Sequence, residues 1–293
     1  MSSLPVPTYV CPRCKGPLID LACAACGASY TVIAEDIPCF LSGSPGNNES
    51  GIRDIYEEIY RHHEDVWVDQ GRSEPFLRYI SELAARCSEG TILEIGCGEG
   101  AQLATFTSRH KSGIDLSVHA LLRARKRSSG AFAVARAEEL PFADNSFDLV
   151  VAVGVMEHCE SPDTAAAEIR RVLALGGHYI AVIHTDMSWS ERLALKMRQF
   201  LVPRPRPFEL LRWTAKKFFH PIVQPLRRSY TIESARQCLE RNGLHVTRVI
   251  TRESHPAAPL AGRHVVVLVA DKSVSAGPHS PVSIQVAHKH EVR

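Results

Sequence analysis

From Thr91 onward, short apolar runs take turns with stretches of helical periodicity, and few architectures accept that order. The apolar runs are Thr91–Ile95, Lys111–Asp115, Ala131–Val134, Phe147–Val153 and His178–Ile183, with helical runs near 99–108, 117–127 and 163–173 between them. Strands that alternate with helices lie parallel, and the helices cover both faces of one sheet. A helix near 231–242 and two more β-rich runs, Leu244–Thr251 and Arg263–Ala270, extend the pattern. The fold expected is α/β: a doubly wound, Rossmann-like sheet of seven strands. Two helical stretches, 54–65 and 75–87, precede it.

The N-terminus is a different kind of sequence. Cys11-Pro-Arg-Cys14 is followed after eight residues by Cys23-Ala-Ala-Cys26. Two such pairs aim four sulfurs at one ion, the pattern of a structural zinc site. Pro12, Gly16 and Gly27 suit the tight turns this needs. So short a segment cannot bury enough core to fold unaided, so the metal would supply its folding energy. With four protein ligands no position stays open for water, which makes the metal structural rather than catalytic. Disulfides fit a reducing compartment poorly. The other five cysteines, Cys39, Cys87, Cys97, Cys159 and Cys238, are scattered and read as small buried side chains.

The organisation expected is a zinc ribbon over 1–41, a linker over 42–53, a main domain over 54–272 and a loose tail over 273–293. Residues 42–50 are turn formers without an apolar side chain, and the tail is polar and aperiodic. With 45% hydrophobic and 23% charged residues, the 293-residue chain is neither disordered nor a small disulfide scaffold. No apolar run approaches the roughly 18 residues of a membrane span, and the start lacks the pattern of a secretory signal. The expected compartment is the cytoplasm, with peripheral contact at the inner face of the membrane as the alternative.

The first strand ends in Leu93-Glu94-Ile95-Gly96-Cys97-Gly98-Glu99-Gly100. Glycines let a turn run close to a ligand, and the helix that follows offers free N–H groups. A dinucleotide fingerprint needs a third glycine at position 101, where this chain has Ala101. Asp115 ends the second strand, 21 positions after Glu94, where a carboxylate can accept both ribose hydroxyls. Further along come Ala137-Glu138-Glu139-Leu140-Pro141-Phe142, Asp144-Asn145-Ser146-Phe147-Asp148, Met156-Glu157-His158 and Leu175-Gly176-Gly177.

In that order these motifs resemble the class I S-adenosylmethionine (SAM) methyltransferases, within the broad group of ubiquinone and menaquinone methyltransferases. The resemblance covers about residues 54–184. It implies that Glu94, Gly96, Cys97, Gly98 and Gly100 hold the methionine half of the cofactor, Asp115 the ribose and Leu116 the adenine edge. Ala137 and Glu138 would border the adenine, and Val153 and Gly154 would lie beside the methyl group. Two positions depart from the family: Arg136 stands where an aspartate is usual, and Leu175 where proline is. The cysteine segment, with Tyr30–Ile33 and Ile37–Leu41, resembles zinc ribbons at the N-terminus of many bacterial methyltransferases. It is also similar to the small zinc subunit that activates several tRNA and rRNA methyltransferases.

Methyl transfer asks mainly for alignment, plus a base where the acceptor must lose a proton. His158 and His184, each after a strand, are the candidates; the first also reads as a loop residue and the second as a solvated one. A helical lid is expected over about 184–230. Between Glu191 and Arg228 it holds ten basic residues against two acidic ones, a net +8 within a chain of +2. Trp189, Phe200, Trp213, Phe218 and Phe219 interleave with the charges. Such a segment suits a packed lid, an anionic membrane surface, an anionic acceptor or RNA phosphates. The function expected is methylation of a small-molecule or lipid-linked acceptor, with oxygen favoured. The alternatives are an rRNA or tRNA methyltransferase and a non-catalytic SAM-binding partner protein. Against RNA, 4–41 carries only Arg13 and Lys15 as basic residues.

Overall fold

The structure is a computed structural model that describes residues 9–34, 36–41, 49–67, 73–88, 90–108, 110–185, 228–260 and 264–272. The expected lid, apart from its two ends, lies outside the described residues, as do the tail and residues 42–48 of the linker. The strands are β1 (Leu18–Ile19), β2 (Ala22–Cys23), β3 (Thr31–Ile33), β4 (Ile37–Cys39), β5 (Ile92–Ile95), β6 (Lys111–Asp115), β7 (Ala131–Val134), β8 (Phe147–Val153), β9 (Leu173–His184), β10 (His245–Ile250) and β11 (Val265–Asp271). The helices are α1 (Glu49–His62), α2 (Glu74–Cys87), α3 (Ala101–Thr105), α4 (Val118–Arg127), α5 (Pro162–Val172) and α6 (Ile232–Arg241).

The seven expected strands form one sheet in the order β10-β11-β9-β8-β5-β6-β7, parallel from β7 to β9, with β11 antiparallel to both neighbours. Alternate residues of each central strand feed two cores. Val150 and Ala152 of β8 pack on one face with Ala165 and Ile169 of α5 and Leu239 of α6. Leu149, Val151 and Val153 pack on the other with Ile80 of α2, Leu103 of α3 and Leu121 of α4. This period of two is what a strand buried on both sides requires. Serines start the helices: Ser117 Oγ accepts from Ala120 N at 3.2 Å, and Ser161 Oγ from Thr164 N at 3.3 Å.

Strand β9 starts at Leu173, not His178, so Leu175-Gly176-Gly177 lie inside it, and two helices also differ from expectation. Helix α1 reaches back to Glu49, inside the stretch read as linker, because Ile52, Ile55, Tyr56, Ile59 and Tyr60 keep helical spacing. Helix α3 stops at Thr105 instead of 108, since Phe106 already has extended dihedrals. The larger addition concerns the N-terminal segment. Its hairpin β3–β4 joins the sheet, with β4 parallel to β7 through Cys39 and Val134, so nine strands are continuous. Phe40 N donates to Val134 O at 2.8 Å. Cys11, Cys23, Tyr30 and Phe40 belong to the same core as α5.

Candidate active site

Strand order reverses between β5, flanked by β6, and β8, which starts the other wing. Open α/β sheets bind ligands at such a switch, beyond the carboxyl ends of the strands. The register brings the expected residues to that rim. Ile95 lies opposite Ile114 and Ala152, so Gly96, Asp115 and Val153 leave the sheet side by side. Val153 pairs with Val182, which puts His184 two residues further along the same rim.

The turn after β5 is built from left-handed glycines: Gly96, Gly98 and Gly100 have φ of 64°, 53° and 74°. At Gly98 space adds to the dihedral constraint, because a Cβ there would stand 2.6 Å from the Tyr60 hydroxyl. Gly98 N donates to one Asp115 oxygen and Ser117 N to the other, both at 2.9 Å. Asp115 thus ties the two turns together at the carboxyl end of β6. Glu94 and Cys97 are buried beneath the turn, and Leu116 is half-buried.

Helix α1 roofs this turn, a role the sequence reading did not give it. Glu57 accepts from Val118 N (2.7 Å), Ser117 Oγ (2.9 Å) and His119 Nδ1 (2.7 Å), and so caps α4. Burial pushes the Glu57 carboxyl up, but bonds from His119, Val118 and Ser117 outweigh it and hold it below the usual carboxylate range. Tyr60 accepts from the Trp67 indole N–H, and Tyr56 meets His158 edge-on with ring centres 5.8 Å apart. Aromatic rings four residues apart on an amphipathic helix were the one available signal for this wall.

His184 is the better equipped of the two base candidates. Its Nδ1 lies 3.0 Å from Glu157 Oε1, which also accepts from the His184 backbone N–H. Glu157 is 1% exposed while the His184 side chain is 51% exposed. A carboxyl oxygen that accepts from Nδ1–H would fix the tautomer and leave Nε2 outward as an acceptor. His264 stacks on the ring at 6.3 Å. Gly154, with φ 62°, donates to Val182 O at 2.8 Å and closes the gap between the two strand ends.

On the other side lies the 137–142 loop. Ala137 is buried, and Glu138 accepts from Glu160 N at 2.7 Å, at the start of α5. Arg136, the departure from the family pattern, turns to the same place and pairs with Glu160 at 3.1 Å and Glu138 at 3.7 Å.

The four N-terminal sulfurs converge: all lie within 4.8 Å of one another, with Cys11–Cys26 at 3.6 Å and Cys14–Cys23 at 3.4 Å. Ligands about 2.3 Å from a tetrahedral zinc stand about 3.8 Å apart, so the cluster fits that ion. Burial raises the Cys11 thiol, but the Tyr30 hydroxyl, 3.2 Å away, and the N–H groups of Cys14 and Arg13 outweigh it.

Comparison with known proteins fits this geometry. The family described as Methyltransferase domain matches residues 93–181. Malonyl-[acyl-carrier protein] O-methyltransferase of Geobacter sulfurreducens is 31% identical over 219 residues, 70% of this chain and 74% of that protein. Fatty-acid O-methyltransferase of Mycolicibacterium smegmatis is 31% identical over 153 residues, 47% of this chain and 55% of that protein. The chain spans little more than half of several other relatives, 57% and 58% of two Methanocaldococcus jannaschii proteins. Among solved structures, a SAM-dependent methyltransferase of Thermotoga maritima shares the fold with a TM-score of 0.54 at 22% identity, over 75% of this chain and 99% of that one.

Proposed function

We propose, on the premise that this chain belongs to the SAM-dependent methyltransferase family, that it methylates an oxygen of a small-molecule or lipid-linked acceptor. The cofactor supplies an electrophilic methyl on a sulfonium; this chain's residues supply alignment and a place for the proton. The turn of Glu94, Gly96, Cys97, Gly98 and Gly100 would take the methionine half. Asp115 and Leu116 would take the ribose and the adenine edge, Ala137 and Glu138 would border the adenine, and Val153 and Gly154 would face the acceptor. Nε2 of His184 would accept the proton of an acceptor hydroxyl, and Glu157 would hold the ring and stabilise its charged form. His158, packed on Tyr56, would shape the acceptor wall. One structural zinc would sit on Cys11, Cys14, Cys23 and Cys26.

The observation that carries this reading is the Glu157–His184 pair on the same rim as the glycine turn. An acceptor that is already nucleophilic, a neutral amine or a carboxylate, needs no such base, so the pair favours a hydroxyl. The two relatives named as O-methyltransferases of malonyl-[acyl-carrier protein] and of fatty acid support an oxygen acceptor of lipidic kind. The basic segment up to Arg228 would receive an anionic group on that acceptor. Arg228, its described end, donates to Glu160 O at 3.0 Å and to Glu157 O at 3.1 Å, beside the proposed base.

The test is purified protein and methyl-labelled SAM added to extract from cells lacking this protein, compared with the same extract without it, followed by separation into RNA, protein, organic-soluble and aqueous small-molecule fractions. Label in the organic or small-molecule fraction, removed by base, is the expected result for an ester, and base-stable label for an ether. Label in RNA would overturn the reading.

A further inference from the structure

The cysteine segment does more than sit beside the sheet. It touches the 137–142 loop directly at two places and reaches it at a third through Glu168 of α5. Val10 N donates to Pro141 O at 3.1 Å. The Tyr9 ring packs on Phe142 with centres 5.6 Å apart, and on Phe40 at 5.0 Å. The third contact is ionic. Lys15, next to the ligand Cys14, places Nζ 2.6 Å from Glu168 Oε2 on α5. The same Glu168 oxygen accepts from Leu140 N at 2.9 Å.

Arg171 completes the clamp from the far side. It grips Glu168 through two bonds of 2.7 and 2.9 Å. It also donates to Leu140 O at 3.0 Å and to Phe142 O at 2.7 Å. Both backbone groups of Leu140 are therefore held by a carboxylate and a guanidinium whose third partner belongs to the cysteine knuckle. Burial raises the Glu168 carboxyl, but its bonds to Arg171 and Lys15 outweigh that and keep it ionised.

Lys15 itself is held by the knuckle. Its N–H donates to Cys11 O at 2.7 Å and its Nζ to Pro12 O at 2.7 Å, with φ at 62°. A left-handed lysine is an uncommon, mildly strained conformation that its surroundings must hold. A metal on the four sulfurs fixes the loop that carries it.

We infer that the cysteine module is a metal-dependent clamp on the adenine-side loop, with Lys15 and Glu168 as positioning residues, so that zinc occupancy tightens cofactor binding. The inference rests on the assignment of Ala137 and Glu138, at the start of this loop, to the adenine border. It differs from an independent zinc domain, whose loss leaves cofactor binding unchanged.

The test uses the full chain and S-adenosylhomocysteine as probe, titrated by calorimetry, with zinc content measured on each sample. Lys15→Met keeps the aliphatic stem and all four cysteines. It should retain one zinc per chain, weaken the probe about three- to ten-fold and speed amide exchange at Leu140. Lys15→Arg should restore both. Zinc-stripped protein should weaken the probe at least as much as Lys15→Met. Native affinity in both the stripped protein and Lys15→Met, with Asp115→Ala still weakening binding, would overturn the clamp and leave the cofactor site standing. No binding by the native chain would overturn the cofactor site and the clamp together.

Discussion

Glu57 offers a test that joins stability, charge and pH in one residue. Its carboxylate accepts from Ser117 Oγ, Val118 N and His119 Nδ1 at 2.7–2.9 Å, and more weakly from His119 N at 3.3 Å. It bonds the first turn of α4 from another helix, a position where loss of a side-chain cap costs about 0.5–2 kcal/mol. Its negative charge at a helix N-terminus adds about 0.3–1 kcal/mol. Glu57→Gln keeps one acceptor oxygen and loses the charge, so about 1–2 kcal/mol of destabilisation is expected at pH 7. Bonds to His119, Val118 and Ser117 hold the folded carboxyl below its ordinary value despite burial. A depressed folded pKa gives stability that is present above the unfolded value, about 4.3, and is lost as pH falls through the folded one. The gap between native and Glu57→Gln, read by urea unfolding, should therefore be full at pH 6–7 and close progressively below pH 4. A gap of equal size at pH 7 and pH 3 would show that shape, not charge, holds α1 to α4. Because α1 also carries Tyr56 and Tyr60, the variant should weaken cofactor binding in parallel with stability.

Four further outcomes are expected. Asp115→Ala should weaken SAM by about 1.5–3 kcal/mol, the scale of charge-assisted hydrogen bonds, and an unchanged dissociation constant would refute the ribose assignment. His184→Ala should lower kcat about 10²- to 10⁴-fold with SAM affinity intact, and Glu157→Gln, which removes the carboxylate that favours the charged ring, should move the acidic limb of the pH–rate profile to lower pH; a native profile in Glu157→Gln would remove the carboxylate from the mechanism. Chelation should lower the Tm and expose the amides of 9–41 to exchange, because a structural zinc supplies folding energy, and an unaltered exchange map would leave the cysteines without that role. Neutralising Arg204, Arg206, Lys216 and Lys217 together should spare SAM binding and weaken an anionic acceptor, and equal loss of both would mean that the segment is structural.

The parts of this molecule that could be read from the chain are those written in neighbouring residues. Strands β7 and β8 announce themselves because they bury both faces and are mostly apolar, as in Val150-Val151-Ala152-Val153, whereas β6, Lys111-Ser112-Gly113-Ile114-Asp115, is legible only from its place in the alternation of strands and helices. The Gly96–Gly100 turn is legible because its dihedrals exclude most other residues. The four cysteines are legible because their ligand spacing is local. His184 could be placed at a strand end, but its partner could not. Met156-Glu157-His158 offers two chemically apt groups, and only the pairing of β8 with β9 decides that Glu157 meets His184 while His158 turns to Tyr56.

What stayed hidden is the wiring between segments far apart in sequence. Lys15 and Glu168 are 153 residues apart, and neither residue type at its position signals the other. Strand β4 joins β7 through one residue pair, Cys39 and Val134, so its docking leaves no periodic trace. Yet these contacts decide whether the N-terminal 41 residues are an appendage or part of the cofactor site. A ribbon that only stabilised itself would need its own turns and cysteines. It would not need a buried glutamate of α5 shared between its lysine and the amide of Leu140, nor a sheet that runs through it without a break. Charge placed in that shared position costs desolvation, which Lys15 and Arg171 must together offset. That cost is worth sustaining only where the loop's position matters, and the residues it fixes, Leu140 to Phe142, directly follow the Ala137-Glu138 pair proposed to border the adenine.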